Sequence, residues 1–153
     1  DSSKAFLDSL GNANFVFNNI SDGVPVYLQL KHRNSLETWS KKPASGTFAL
    51  LFAIQFSTFN SFLKYDFTNS SSSSFGNNSV KVDNAPVEFA VYSGDVNQDD
   101  FINLDDVIAI YNDVGIFTSG YKVTDINGDN VSDLNDIILA NNNSNNFVSA
   151  VKP

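Results

Sequence analysis

Two acidic segments of the chain share one spacing of oxygen-bearing side chains, thirty residues apart. Residues 95–106 (loop 1) carry Asp or Asn at the first, third, fifth and ninth places and Asp at the twelfth, and residues 125–136 (loop 2) repeat this pattern. The correspondence continues downstream, where Phe117 aligns with Phe147. A duplication of this length predicts two copies of one supersecondary unit packed against each other.

The spacing in both loops is that of an EF-hand-type calcium site. Ca²⁺ takes six to eight oxygen ligands at about 2.3–2.6 Å, and a tight loop can turn every second side chain towards the ion. The seventh residue offers its backbone carbonyl, and the twelfth lies in the following helix, so the ion ties loop to helix. The predicted ligands of two Ca²⁺ ions are, in loop 1, Asp95, Asn97, Asp99, Phe101, Asn103 and Asp106, and, in loop 2, Asp125, Asn127, Asp129, Val131, Asp133 and Asp136.

Two positions depart from the usual calcium loop. The sixth place normally holds glycine because the backbone bends there through a positive φ. Here the sixth residues are Asp100 and Asn130, two types that tolerate this conformation better than most. The eighth place is Ile102 in loop 1 and Ser132 in loop 2, which predicts a weak apolar bridge between the loops.

A short helix is predicted after each loop. Leu104, Val107 and Ile108 fall on one helical face after loop 1, and the same spacing follows loop 2 until Asn141 begins an asparagine run. Such short helices, in a chain without methionine, do not suit a calcium switch that opens an apolar groove. The loops are therefore predicted to be structural sites, whose metal binding is coupled to folding.

The charge of the chain excludes several partners. The formal charge is −8, and residues 95–136 contain ten aspartates and one lysine. This segment would repel nucleic acid, and the rest of the chain lacks a basic patch. The longest apolar run, Phe48–Phe56, is about half as long as a membrane-spanning helix, so no transmembrane segment is predicted.

Residue types also argue against catalysis. The chain has no cysteine, which excludes disulfides, thiolate zinc sites and cysteine nucleophiles, and a Ser-His-Asp triad would have to use the single histidine, His32. No paired-carboxylate motif lies outside the calcium segment, so a non-enzyme is predicted. Trp39 and Tyr27, with His32, Arg33 and Glu37 nearby, could line a sugar platform. A lone tryptophan in a β segment is more often a core residue.

Residues 1–92 indicate β structure. Strands are predicted at residues 14–20, 24–32, 47–56, 63–67, 80–82 and 87–92. The strand at 47–56 is equally compatible with a buried helix, and residues 1–11 with a helix or an arm. Short strands separated this often by turn-forming residues predict a β-sandwich. The predicted fold is thus a β-sandwich at 1–92, followed by a small α unit with two calcium loops at 93–153.

The second predicted domain resembles a known family. Gly94–Asp99 with Asp106, and Thr124–Asp129 with Asp136, are similar to type I dockerin domains, which keep only the helix after each loop and end the loop in Asp. The resemblance covers residues 93–153. It implies a dockerin-like unit that binds two Ca²⁺ ions and docks onto a protein, often a cohesin module.

The first predicted domain carries a further resemblance. Residues 31–40 with 65–68 are similar to the prealbumin-like or Cna-B-like β-sandwiches that precede dockerin-like tails in secreted bacterial surface proteins. This implies a secreted protein at the cell surface. Cellulosomal dockerins usually present Ser or Thr at the tenth and eleventh loop places, where this chain has Leu104–Asp105 and Leu134–Asn135. The residues at these partner-contacting places therefore depart from the cellulosomal pattern, which argues against a cohesin of the cellulosomal type as the partner.

Two hypotheses for function follow. The first is a non-catalytic, extracellular calcium-binding module for structure or assembly, such as a self-assembling subunit of a surface layer or filament. The alternative is a cohesin-docking or carbohydrate-binding appendage of a larger secreted enzyme.

Overall fold

The structure, a computed structural model, describes residues 1–19, 26–41 and 65–153. Two compact units are present, Asp1–Val26 with Pro43–Tyr65, and Tyr27–Lys42 with Asp66–Pro153. The strand predicted at 47–56 lies outside the described residues, as do residues 24–25 and 63–64 of two other predicted strands. The strand predicted at 63–67 is wrong for its described part, because residues 65–67 form no strand, whereas residues 29–32 of the one at 24–32 are in a strand. Both predicted calcium loops belong to the second unit.

In the first unit, residues 1–19 form neither a helix nor a strand, so the strand predicted from residue 14 is wrong for its described part. The chain turns at Asp8, whose carboxylate accepts hydrogen bonds from the backbone of Leu10 and Asn12, both at 2.8 Å. Apolar side chains at helical spacing do not form a helix here. Phe6 and Leu10 are almost fully exposed, whereas an amphipathic helix in a protein gains most of its stability from packing its apolar face.

The second unit contains two antiparallel hairpins. Strands β1 (Gln29–His32) and β2 (Ser35–Trp39) pair with Gln29 opposite Trp39, and strands β3 (Val80–Asn84) and β4 (Val87–Ala90) pair with Val80 opposite Ala90. The strands predicted at 80–82 and 87–92 are confirmed as β3 and β4, apart from their ends. β2 was not among the predicted strands.

The predicted β-sandwich is wrong. The described residues form two sheets of two strands each and two α-helices, a small mixed α/β fold. A sandwich needs sheets with one apolar face towards a second sheet. β2 instead buries four consecutive residues, Ser35–Thr38, and all but Leu36 are polar. β3 and β4 are mostly exposed, so neither hairpin offers such a face.

Both predicted helices are present. Helix α1 spans Leu104–Gly115 and helix α2 spans Leu134–Asn145. Each begins with a capping box, in which the ninth loop residue caps the helix and the twelfth bonds back to it. The core between the helices consists of Val96, Ile110 and Ala140. The helices therefore hold both loops against one apolar centre.

Contacts of β2 join the first hairpin to the duplicated segment. The backbone N–H of Leu36 donates to the carbonyl of Tyr92 at 2.8 Å, and Ser35 pairs with Ser93. The first hairpin and residues 93–153 thus lie in one compact unit. The division into domains at residue 92 stays a prediction.

Candidate calcium-binding loops

The first aspartate of each loop is buried and accepts hydrogen bonds from the loop backbone. Asp95 receives the N–H groups of Asp99 and Asp100 at 3.1 and 3.2 Å. Asp125 receives those of Gly128 and Asn130 at 2.8 and 3.2 Å. The loops therefore fold around their first residue in nearly the same way.

The twelfth aspartate closes each loop from the side of its helix. Asp106 is fully buried, and its carboxylate accepts from the N–H groups of Val96 at 2.8 Å, Asn97 at 3.3 Å and Asn103 at 3.0 Å. In loop 2, Asp136 makes the three equivalent bonds, between 2.8 and 3.0 Å. One carboxylate thus joins the beginning of the loop to the beginning of the helix.

The third, fifth and ninth residues are more open to solvent. The Asn97 amide donates to the Asp99 carboxylate at 2.9 Å, and the same contact in loop 2 has the same length. Asp99 in turn accepts from the backbone N–H of Phe101 at 3.0 Å. Asn103 and Asp133 cap the two helices. Side chains at the predicted ligand positions therefore follow one pattern in both loops.

The sixth residues adopt the conformation expected from the sequence. Asp100 has φ of 74° and Asn130 has φ of 71°. The fourth residues, Gln98 and Gly128, are also left-handed, with φ of 61° and 82°. Asp and Asn thus occupy the bend where a calcium loop normally has glycine.

Among the described residues, the isolated β-bridges of the two loops do not join one loop to the other. Phe101 of loop 1 instead pairs with Ser149, which follows α2, and Val131 of loop 2 pairs with Ser119, which follows α1. Each loop thus packs against the end of the other copy. In both pairs the backbone hydrogen bonds are made by the sixth and eighth loop residues. The carbonyl of the seventh residue takes no part in these hydrogen bonds.

The eighth residue of each loop lies against the residue that precedes the loop. In loop 1 a Cβ atom on Gly94 would lie 3.2 Å from the side chain of Ile102, so glycine makes room for isoleucine. In loop 2 the hydroxyl groups of Thr124 and Ser132 are 2.8 Å apart, and both are buried. The buried hydroxyl of Ser132 therefore has a hydrogen-bond partner, and the local packing of loop 2 differs here from that of loop 1.

Electrostatics in loop 1 favour a cation. Burial raises the pKa of Asp95 to about 6, with a further contribution from the Asp106 carboxylate, although backbone hydrogen bonds oppose both effects. Among the described residues, no Lys, Arg or His forms an ion pair with a predicted ligand of loop 1. Two buried carboxylates in the same loop are costly without a positive partner. The residues of loop 1 therefore fit a bound divalent ion.

No ready-made cage of carboxylates accompanies this arrangement. Across residues 1–19, 26–41 and 65–153, no three Asp, Glu, His or Cys side chains come together as a group that could hold a metal. Each predicted ligand set also contains asparagine and a backbone carbonyl, which such a group does not include. Convergence of the twelve predicted ligands on two ions stays a prediction.

The sugar platform considered around Trp39 is occupied by other contacts. The indole N–H of Trp39 donates to Glu37 at 2.6 Å. Tyr27 lies edge-on to Trp39 and to Phe75, with ring centroids 6.5 and 6.1 Å apart. This aromatic cluster supports a packing role for Trp39. Sugar binding at this cluster stays a prediction.

Glu37 is buried beneath Lys31 and Lys152, which it pairs with at 2.7 and 3.3 Å. Burial would raise the pKa of Glu37, but side-chain hydrogen bonds outweigh it and lower the pKa to about 2. The donors are Lys31, Gln29, Trp39 and Lys152. The ionised form of Glu37 is therefore strongly favoured in the folded chain.

We expect this pKa shift to produce acid-dependent stability. Because the pKa is depressed, the contribution of Glu37 is complete above its ordinary value of 4.5 and is lost as the pH falls towards 2. Glu37→Gln should lower the free energy of unfolding by about 1–3 kcal/mol near pH 7, and less at pH 3. Urea denaturation measures this, with the exposed Glu88→Gln as control. Equal effects at both pH values would contradict the prediction.

Comparisons with known proteins identify no relative. No protein-family model, no curated protein and no solved structure matches the chain. In the described part of the chain, neither α-helix has the length and apolar character needed to cross a membrane. Any function must therefore be argued from the loops themselves.

Proposed function

We propose that the two loops bind Ca²⁺ and that the protein is a non-catalytic, extracellular calcium-stabilised module for structure or assembly. The observation that carries this proposal is the repetition of one hydrogen-bond network in both loops, each around two buried aspartates at the first and twelfth places. A loop that only reversed the direction of the chain would not need to bury two carboxylates, yet both loops do so.

The donor atoms support calcium over other metals. Every predicted side-chain ligand is a carboxylate or an amide oxygen, without sulfur or imidazole, and hard oxygen donors suit Ca²⁺ and Mg²⁺. Ca²⁺ accepts a flexible, crowded shell, whereas Mg²⁺ requires a small octahedral one. A loop that offers six oxygen-bearing residues therefore favours Ca²⁺.

A structural role is supported by the place of the twelfth residue. Asp106 and Asp136 belong to the first turn of α1 and α2 and also bond to the beginning of their loops. A bound Ca²⁺ would supply positive charge to carboxylates that already connect loop and helix. The dockerin resemblance supports the same role and an extracellular setting, where weak calcium sites remain filled.

The ligand role is tested with the fifth loop residues. Asp99→Asn and Asp129→Asn keep an oxygen acceptor but remove one negative charge from an exposed ligand position in each loop. We expect each variant to weaken calcium binding at its own loop by about tenfold or more, because Ca²⁺ affinity depends on the number of charged ligands. Calorimetric titration of chelator-stripped protein measures this.

Asp105→Asn is the matched control. Asp105 is exposed, is not a predicted ligand, and its counterpart in the second copy is Asn135. It should leave both affinities within about twofold, since it lies outside the ligand set and is screened by solvent. No heat of binding in the wild-type protein, or equal losses in all three variants, would remove the calcium proposal.

A second feature favours contact with another protein. Leu104, Ile108 and Tyr111 form an exposed stripe along α1, and Leu134 and Ile138 form its counterpart on α2. Apolar surface grouped in this way often marks an interaction site. We propose a second copy of this chain as the partner, because two Ca²⁺ ions would cancel half of the formal charge of −8 that keeps copies apart.

Light scattering at high protein concentration tests self-assembly. We expect larger particles with calcium than with chelator, and smaller ones for Ile108→Ser, which removes the middle of the stripe on α1. A monomer under all conditions would contradict assembly. Capture by a cohesin module without self-association would favour the docking alternative instead.

A further inference from the structure

The turn between β1 and β2 contacts the beginning of both loops. The carbonyl of Asn34 accepts from the N–H of Gly94 at 2.7 Å, and the buried Asn34 amide donates to the carbonyl of Asp125 at 2.8 Å. The carbonyl of Ser35 accepts from the Gln98 amide at 3.2 Å. A hairpin outside the duplicated segment thus supports both candidate sites.

Arg33, the single arginine of the chain, completes this turn. Its Nη2 donates to the carbonyl of Asp125 at 3.0 Å and lies 3.5 Å from the Oδ2 atom of the same residue. The guanidinium carbon is 3.9 Å from the ring centroid of Tyr121, and the side chain is only 15% exposed. A charge held between an aromatic ring and a carboxylate is poorly screened by solvent.

The two loops differ at this contact. In loop 1 the carbonyl of Asp95 accepts from the neutral amide of Gln98 at 2.7 Å. Loop 2 has Gly128 at the same place, so Arg33 and Asn34 donate to Asp125 instead. Within the described ranges, the Arg33–Asp125 contact is the only ion pair that includes a predicted ligand.

The cation beside loop 1 has a different position. Lys152 contacts Asp100 at 2.7 Å, and the Lys152 side chain is 47% exposed. Asp100 is the sixth residue of its loop and is not a predicted ligand. Loop 1 therefore has a solvated cation at its edge, whereas loop 2 has a mostly buried cation on its first ligand.

We propose that Arg33 is a positioning residue that regulates loop 2, an inference that rests on the proposed calcium function. Arg33 acts as the countercharge of Asp125 when no metal is bound, and so stabilises the metal-free loop. The same positive charge opposes a divalent ion on that carboxylate. Arg33 therefore lowers the calcium affinity of loop 2 and makes its binding depend on how the hairpin packs.

The test compares three variants in the Asp99→Asn background, in which loop 1 is weakened and loop 2 can be measured separately. Arg33→Gln removes the charge, Arg33→Lys keeps it, and Lys122→Gln removes a charge from an exposed residue near loop 2. We expect Arg33→Gln to bind calcium about three- to tenfold more tightly, and this gain to depend only weakly on salt because the Arg33–Asp125 pair is mostly buried. Arg33→Lys and Lys122→Gln should stay within about twofold of the background.

Melting in chelator provides a readout without metal. Arg33→Gln should melt at a lower temperature than Arg33→Lys in chelator, because Asp125 loses its countercharge. Its calcium-induced rise in melting temperature should be larger. These two readouts separate the loss of charge from general destabilisation. A damaged fold would lower both the melting temperature in chelator and its rise with calcium.

Three results would overturn the inference. The first is an unchanged or weaker calcium affinity in Arg33→Gln, provided that this variant is folded. Its fold is checked by the fluorescence spectrum of Trp39, the single tryptophan, which lies at the end of β2. The second is an equal gain in Arg33→Lys. The third is a wild-type protein that binds no calcium, which would remove the proposed function first and this inference with it.

Discussion

Calcium should raise the melting temperature of this protein by about 10–20 °C relative to excess chelator. At free calcium a hundredfold above the dissociation constant, each ion bound to the folded form adds about 2.7 kcal/mol to the free energy of unfolding. For a chain of this size, one kcal/mol corresponds to about 2–4 °C. The physical reason is that two loops with buried aspartates gain a positive partner only in the folded state. Differential scanning calorimetry measures the shift.

Two controls make this result specific. Magnesium at the same concentration should give a smaller shift, because it requires an octahedral shell that a crowded loop does not provide. The double variant Asp99→Asn, Asp129→Asn should lose about half of the shift or more at the same calcium concentration, without a comparable loss in chelator. A melting curve that is the same in calcium and chelator would remove the proposal that the loops are metal-stabilised.

The loops and helices could be predicted from sequence because their determinants are local. Residues nine and twelve of each loop, such as Asn103 and Asp106, form the capping box that begins the helix. The left-handed Asp100 is likewise determined by the bend of its own loop. A repeat of such local signals at Asp133 and Asp136 then predicts the second copy.

By contrast, the arrangement of the strands into sheets could not be predicted from local alternation of apolar and polar residues. Alternating residues predict a strand but do not say how many strands share its sheet. β2 is buried because its backbone contacts Tyr92 and Ser93, which are more than fifty residues away along the chain. The polar residues Ser35 and Thr38 give no sign of that burial in the sequence.

Contacts between the copies were also beyond sequence reasoning. The pairing of Phe101 with Ser149 and of Val131 with Ser119 places each loop on the end of the opposite copy. Periodicity shows that two units exist, but not which surfaces meet. The role of Arg33 had one available signal, its being the only arginine, and that signal does not indicate Asp125 as its partner.

Asp106→Ala should be the most destabilising single substitution in loop 1, even without calcium. The change removes the acceptor for three backbone N–H groups and one half of the capping box of α1. Unsatisfied buried donors cost about 1–3 kcal/mol each. Relief of the repulsion from Asp95 offsets part of this loss. We expect a net decrease of about 2–4 kcal/mol in the free energy of unfolding in chelator.

Asp105→Ala isolates the contribution of loop closure. Asp105 lies in the same first turn of α1, so both variants lose a negative charge at the helix N-terminus, but Asp105 is exposed and accepts no bond from the loop. Its cost should be below about 1 kcal/mol in either buffer. Calcium should widen the difference between the two variants, because Asp106 is also a predicted ligand. Urea denaturation with equal losses for both variants in chelator would show that Asp106 does not close the loop.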